Sequence, residues 1–430
     1  MNKIMKKVSM LCITSLLFSS ISAPVMADTY IENSNLYAMT QDAMYVPLKI
    51  SQQIAQYYLD TVYQEEQIEK NDIYTVTNEY NSVYNVDNQL IGYLFRILNN
   101  SNEEIGYIIT GNNNEVPTVF EACLGDVFTK HLEEAEKLYY ISPLNIAIKT
   151  DGELISIQNN KPIDLSNINS MVRRGKQNNK EEKKNEWDTL LSVLNNQSVT
   201  TSAQLTLNNT RAAHTIYSVY NEPDFVNISD RYYGGNQSWY TSPYKTGNSC
   251  GPVAAANLMA YFAKEYPSYA DVYPYSDILD SYFHKANFLK HMNKMYDYLN
   301  PTIIGVASIS QFRSGLNKYI YDLTGGSISY KDFRVSTYST LVNGTIGGLK
   351  QKAPVALLVL DIENGGSGNL EGSQGDSFAM HWITITKYFK DGNTSSEQIA
   401  FSSWGLRYSV PLYDFWYMYD IEGGIYYYYY

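Results

Sequence analysis

An α+β fold is predicted for this 430-residue chain, and three observations predict it. From His214 onward, helical segments come first and alternating strand segments follow, an order that sets helices beside an antiparallel sheet rather than building βαβ units. Before residue 166, one amphipathic helix leads into a meander of strands. Between these parts, residues 167–213 are too polar and charged to join a core. The length alone suggests two or three domains.

Taken in order, Lys3, Lys6 and Lys7 precede an apolar stretch, Val8 to Ile21, and small residues Val25 and Ala27 precede Asp28. This reads as a secretory signal peptide over 1–27, so an extracellular protein is expected. In "LKISQQIAQYYLDTVYQ", Ile50, Ile54, Tyr58 and Val62 recur at helical spacing. "SVYNVDNQLIGYLFRILNNSNEEIGYIITGNN" alternates apolar and polar residues, with turn residues at Asp87-Asn88 and Asn99 to Asn102. It predicts about three antiparallel strands ending near Thr110. Residues 28–166 therefore form a small α+β domain.

Residues 167–213 hold "MVRRGKQNNKEEKKNEWDT" and "NNQSVTTSAQLTLNNTRAA". They read as a linker with a short helix around Trp187 to Leu194, and the basic residues from Arg173 to Lys184 would be open to processing. Residues 214–430 form the second domain. A loop-rich entry leads to a helix after Cys250, more helix follows over Ser276 to Leu299 and near Ile309 to Tyr321, and then come "SYKDFRV", "PVALLVLDI", "HWITITKYF", "QIAFSSWG" and a terminal strand.

A net charge of −12, with 18% charged residues, argues against nucleic-acid binding, which needs clustered Lys and Arg. No later stretch approaches the roughly 20 apolar residues of a membrane span. No HExxH, His/Cys cluster, phosphate-binding Gly-rich loop or GxSxG is present, so no metal or cofactor is expected. The Gly-rich "ENGGSGNLEGSQGDSFAM" lacks a following helix and reads as a mobile loop. Cys12 leaves with the signal peptide, which rules out a disulfide scaffold, and a Cys123–Cys250 bridge would have to join separate domains. Cys123 reads as packing.

Cys250 is the candidate for chemistry. Pro252 fits a first helical turn, so the helix begins at Cys250 or Gly251. A thiol there meets unpaired backbone N–H groups and the positive end of the helix dipole, which favour the thiolate, and the Cys250 N–H could bind an oxyanion. A nucleophilic thiol also needs a base. His284 and His291, seven residues apart, read as partly exposed helix-surface residues. His381 opens a strand behind the Gly-rich loop and is the better candidate.

These residues resemble the papain-like cysteine peptidases, secreted bacterial forms of the streptopain type and double-glycine-leader-peptidase-like domains in particular. The matching features are "SCGPVAAANLMAYF", "MHWITITKY" and "FSSWG". The separation of Cys250 from His381 falls within the family's range of about 130–150 residues. "YNVDNQLIGYLFRI...EEIGYIITGNN" is similar to the streptopain prodomain. The resemblance implies a zymogen whose papain-like domain cleaves protein or peptide substrates, with its own prodomain as intramolecular inhibitor. By this resemblance Ser402 falls where the family has the Asn or Asp that orients the histidine, and Trp404 would pack over that residue. Tyr244 replaces the usual oxyanion glutamine, and Asn248 is expected to donate instead, in preference to Gln237 because it lies closer in sequence. A cell-wall Cys-His amidase or transpeptidase, or an inactive binding module of the same fold, would carry the same pattern.

Overall fold

The computed structural model describes residues 45–125, 137–157, 162–163, 180–198, 213–229, 231–303, 305–360 and 380–429. The signal peptide, most of the 167–213 linker and the Gly-rich loop lie outside the described residues.

The stripe at Ile50, Ile54, Tyr58 and Val62 lies on helix α1 (Leu48–Val62), which α2 (Gln64–Lys70) continues after a break at Tyr63. The expected meander is present as β1 (Thr75–Tyr84), β2 (Leu90–Leu98) and β3 (Glu104–Gly111). Its tight turns close at Asn85 to Asn88 and Asn99 to Asn102, where Asn88 and Asn102 take positive φ. Four further strands follow: β4 (Val119–Leu124), β5 (Leu138–Ser142), β6 (Asn145–Thr150) and β7 (Glu153–Ser156).

The linker helix is longer than predicted and buries one face. As α3 (Lys180–Ser198), it sets Trp187, Leu190, Leu191 and Leu194 into one core with Ile54 and Tyr58 of α1 and Ile108 of β3. The Trp187 indole donates to the Val116 carbonyl at 2.8 Å.

The C-terminal part runs β8 (Thr215–Ser218), β9 (Asn227–Ile228), β10 (Tyr232–Tyr233), α4 (Pro243–Asn248), α5 (Cys250–Glu265), α6 (Lys285–Leu299) and α7 (Ile309–Thr324). It continues with β11 (Ser329–Arg334), α8 (Tyr338–Lys350), β12 (Val355–Leu360), β13 (Met380–Lys390), β14 (Glu397–Ser403), β15 (Leu406–Pro411), α9 (Leu412–Met418) and β16 (Asp420–Tyr428). Helices α4 to α7 precede most of the sheet strands, and the fold is α+β. Nearly every residue of α5 from Cys250 to Ala263 is buried. A helix apolar on all sides belongs in a core, and α5 lies between the sheet strands β12 and β13 and the helices α6 and α7. Among the described residues no helix is long and apolar enough to cross a membrane.

One sheet spans both parts, in the order β11-β16-β12-β13-β14-β15-β4-β3-β2-β1-β5-β6-β7, with β8 also paired to β13. The parts join where β4 lies antiparallel to β15, with Leu124, Cys123 and Ala122 opposite Arg407, Tyr408 and Ser409. Cys123 is buried packing at this junction, and both Cys123 and Cys250 are free thiols. The junction also buries charge. The Arg407 guanidinium bonds Glu66 of α2 on one side and Glu222 on the other, with Nε 3.1 Å from a Glu222 oxygen. The Tyr63 and Tyr233 rings flank it. Burial pushes the Glu66 carboxyl up, but Arg407 and Lys70 outweigh it and hold the group below the usual carboxylate range.

Candidate active site

Helix α5 starts as its sequence dictates, with Ser249 as the residue before it and Pro252 inside the first turn. Glycine at 251 lets this end approach its neighbours, since a Cβ there would lie 2.6 Å from Val306 and 3.4 Å from Trp382. The approach brings the Cys250 sulfur to 3.7 Å from the Met380 carbonyl oxygen, and the Trp382 N–H also reaches it. The thiol therefore rests against the main chain on both sides of His381.

His381 is the second residue of β13, held opposite Val359 of β12. Its imidazole stacks on Trp404, with centroids 4.6 Å apart and planes 21° from parallel. Trp404 thus packs on the histidine itself. Trp404 and Gly405 both take positive φ, which forms the sharp turn from β14 to β15. The His381 Nε2 lies 2.8 Å from the Ser403 hydroxyl.

Ser402 does not take the expected orienting role. It pairs opposite Thr384, and residues directly opposite share a sheet face. His381 is an odd number of positions from Thr384, so the strand alternation turns Ser403 rather than Ser402 to the imidazole. The Ser402 hydroxyl instead donates to the Tyr233 carbonyl at 2.6 Å and accepts from the Asn257 amide at 3.3 Å.

Asn248 does not reach the thiol pocket either. Its amide donates to the Thr302 carbonyl at 3.2 Å and accepts from the Tyr296 hydroxyl at 3.3 Å, which holds it on the side facing α6. Gln237 does reach the site. It lines one pocket with Cys250, Asn257, His381, Ser402, Ser403 and Trp404. Proximity in sequence to Cys250 pointed to Asn248, whereas the loop from Tyr232 to Trp239 folds back over the start of α5.

Burial governs the electrostatics. Cys250 is 7% exposed and His381 5%. Burial pushes the thiol up, and the N–H groups of Trp382, Gly251 and Cys250 itself only partly offset this. Burial drives the His381 imidazole down to about 3. Both directions favour neutral thiol and neutral imidazole at pH 7, against the helix-dipole expectation of a thiolate.

The other described histidines sit elsewhere. His284 is the exposed residue preceding α6, whereas His291, expected at the helix surface, is fully buried among Tyr273, Phe288 and Tyr319. His214 pairs with Asp391 at 3.3 Å near β8. Among the described residues no three His, Cys, Asp or Glu side chains converge as a metal site would require.

Two residues at the site were not singled out in the sequence. Ser403 is one position from the residue that was, and the period of two along β14 carried the signal. Asn257 lies seven residues after Cys250, two turns along the same helix face. Comparison with models of known protein families finds no match, and comparison with curated proteins finds none either.

Proposed function

We propose that this chain is an exported cysteine peptidase of the papain-like type, made as a zymogen. The observation that carries the reading is the convergence of Cys250, at a helix start, and His381, at a strand start, on one pocket that Gln237 and Ser403 also line. A nucleophile, a base, an amide donor and a hydroxyl beside the base are the parts that acyl transfer needs.

The mechanism starts from the neutral pair. As the Cys250 sulfur attacks a peptide carbonyl carbon, His381 takes the thiol proton. The oxyanion is met by the Cys250 N–H and the Gln237 carboxamide. The tetrahedral intermediate then expels the amine, which takes the proton from His381, and leaves a thioester on Cys250. Water, activated by His381, attacks the thioester, and Cys250 recovers its proton as the acid departs. Ser403 fixes the ring through Nε2, and Trp404 covers one face and excludes water.

In this reading the N-terminal part is the prodomain, an intramolecular inhibitor. Its β4 extends the sheet at β15, and Leu124 at the end of β4 lies opposite Arg407, three residues after Trp404. The chain leaves β4 at the same end of the sheet as the site. None of the described residues that line the pocket belongs to this part. The experiment is digestion of dye-labelled casein, with the precursor followed on a gel. Wild type is expected to cut casein and to shorten, while Cys250→Ala stays full-length and inert. Equal shortening of the Cys250→Ala chain would assign processing to another protease, and equal casein digestion would sink the peptidase reading.

The burial of both reactive groups favours one second reading, an inactive module that keeps the fold. A Cys250 that never labels with iodoacetamide, even after the N-terminal part is removed, would select it.

A further inference from the structure

One deeply buried polar side chain that lines the pocket is not used by the proposed mechanism. Asn257 is almost fully buried within α5, where an amide is costly unless its hydrogen-bonding groups are paired. Its Oδ1 accepts the Gly235 N–H at 2.9 Å. Its Nδ2 lies 3.3 Å from the Ser402 hydroxyl and 3.4 Å from that of Thr384. One amide thus joins the nucleophile helix to the loop that carries Gln237 and to the strands that carry His381 and Ser403.

The loop is shaped for this contact. Gly234 has φ +83°, and a Cβ there would lie 2.3 Å from the Ser402 hydroxyl and 2.9 Å from the Asn257 amide nitrogen. Asn236, two residues on, is anchored too: it donates to the Trp404 carbonyl at 2.6 Å and accepts the Ser238 N–H at 2.8 Å. Gln237 follows directly on two fixed points, the inner one supplied by Asn257.

We propose that Asn257 is a positioning residue for the acyl-transfer reaction, holding the Gly234 to Gln237 loop so that the Gln237 carboxamide meets the oxyanion formed at Cys250. This inference rests on the peptidase reading and assigns the oxyanion donor its support. An oxyanion donor acts only when it is already in place as charge develops, so a loosened loop lowers turnover and leaves the thiol's own reactivity unchanged.

The test uses the purified chain, a p-nitrophenyl acyl ester as substrate and iodoacetamide as a thiol probe that needs no oxyanion donor. Asn257→Leu is expected to lower kcat by about tenfold or more with little change in KM. The alkylation rate of Cys250 should stay within about twofold of wild type. In a Gln237→Ala background the same substitution should cost almost nothing further, because the group it positions is gone. Asn257→Asp keeps an oxygen for the Gly235 N–H and should recover much of the turnover. Should the leucine variant not fold, Asn257→Ser in the two backgrounds makes the same comparison. Additive losses in the double variant, parallel loss of alkylation and turnover, or wild-type kcat would each overturn the proposal. A wild-type chain without Cys250-dependent turnover would instead overturn the peptidase reading and this inference with it.

Discussion

At the scale of single residues, the adjacent serines at the end of β14 separate chemistry from stability. Ser403→Ala removes the hydroxyl beside His381 and is expected to slow ester hydrolysis by about tenfold, with a stability loss of about 1 kcal/mol for the buried hydrogen bond. Ser402→Ala leaves the Tyr233 carbonyl and the Asn257 amide short of a partner, and should cost about 1–3 kcal/mol in urea denaturation. His291 supplies a pH dependence. Burial lowers it to about 3, helped by the charge of Lys294. The unfolded chain protonates this histidine below about pH 6.5, whereas the folded chain resists until about 3, so stability is lost as pH falls through that window. His291→Phe should shrink the drop in thermal midpoint between pH 7 and pH 5, and an unchanged drop would place the acid sensitivity elsewhere. Cys250 and His381 were legible because each opens a regular element and carries a reactive side chain. Ser403 was not, because it depended on strand phase, and Gln237 was ranked behind Asn248 because its loop closes in space rather than in sequence.

At the scale of elements, α3 shows how composition can hide a core helix. Its Lys, Glu and Asn residues give it the look of a solvated linker. Trp187, Leu190, Leu191 and Leu194 nevertheless follow the i, i+3, i+4, i+7 spacing of one helical face, and that face is buried. The helix is therefore part of the N-terminal core rather than a passive tether. Trp187→Ala removes the largest side chain of this contact and the bond to Val116, and should cost about 3–5 kcal/mol. Urea denaturation followed alongside trypsin digestion would show the loss, with new cuts between Lys180 and Ser198. The strands from β12 to β14 were legible from their apolar runs, and β11 from its alternation. β15 was missed: the expected strand ended at Gly405, and "LRYSVP" carries Arg407 and Ser409 where an apolar run would have been read.

At the scale of the whole molecule, the sequence suggested two domains, and the union of both parts in one sheet was not legible. β4 is buried along its whole length, with Glu121 set among apolar residues, and nothing in such a run names its partner strand. Arg407 shows how firmly the parts are joined. Removing one member of a buried ionic cluster strands the others, so Arg407→Met should destabilise the intact chain by about 3–5 kcal/mol through Glu66 and Glu222. Glu66→Gln in the same background should recover part of that loss, measured by the same denaturation. The central claim is that Cys250 and His381 work as nucleophile and base. Its most direct test is a rapid acid quench of the chain turning over a p-nitrophenyl acyl ester, followed by peptide mass mapping. An acyl mass on the Cys250 peptide, formed far more slowly in His381→Ala, is the predicted result. No acyl mass on Cys250, or one that forms at the same rate without His381, would contradict the account.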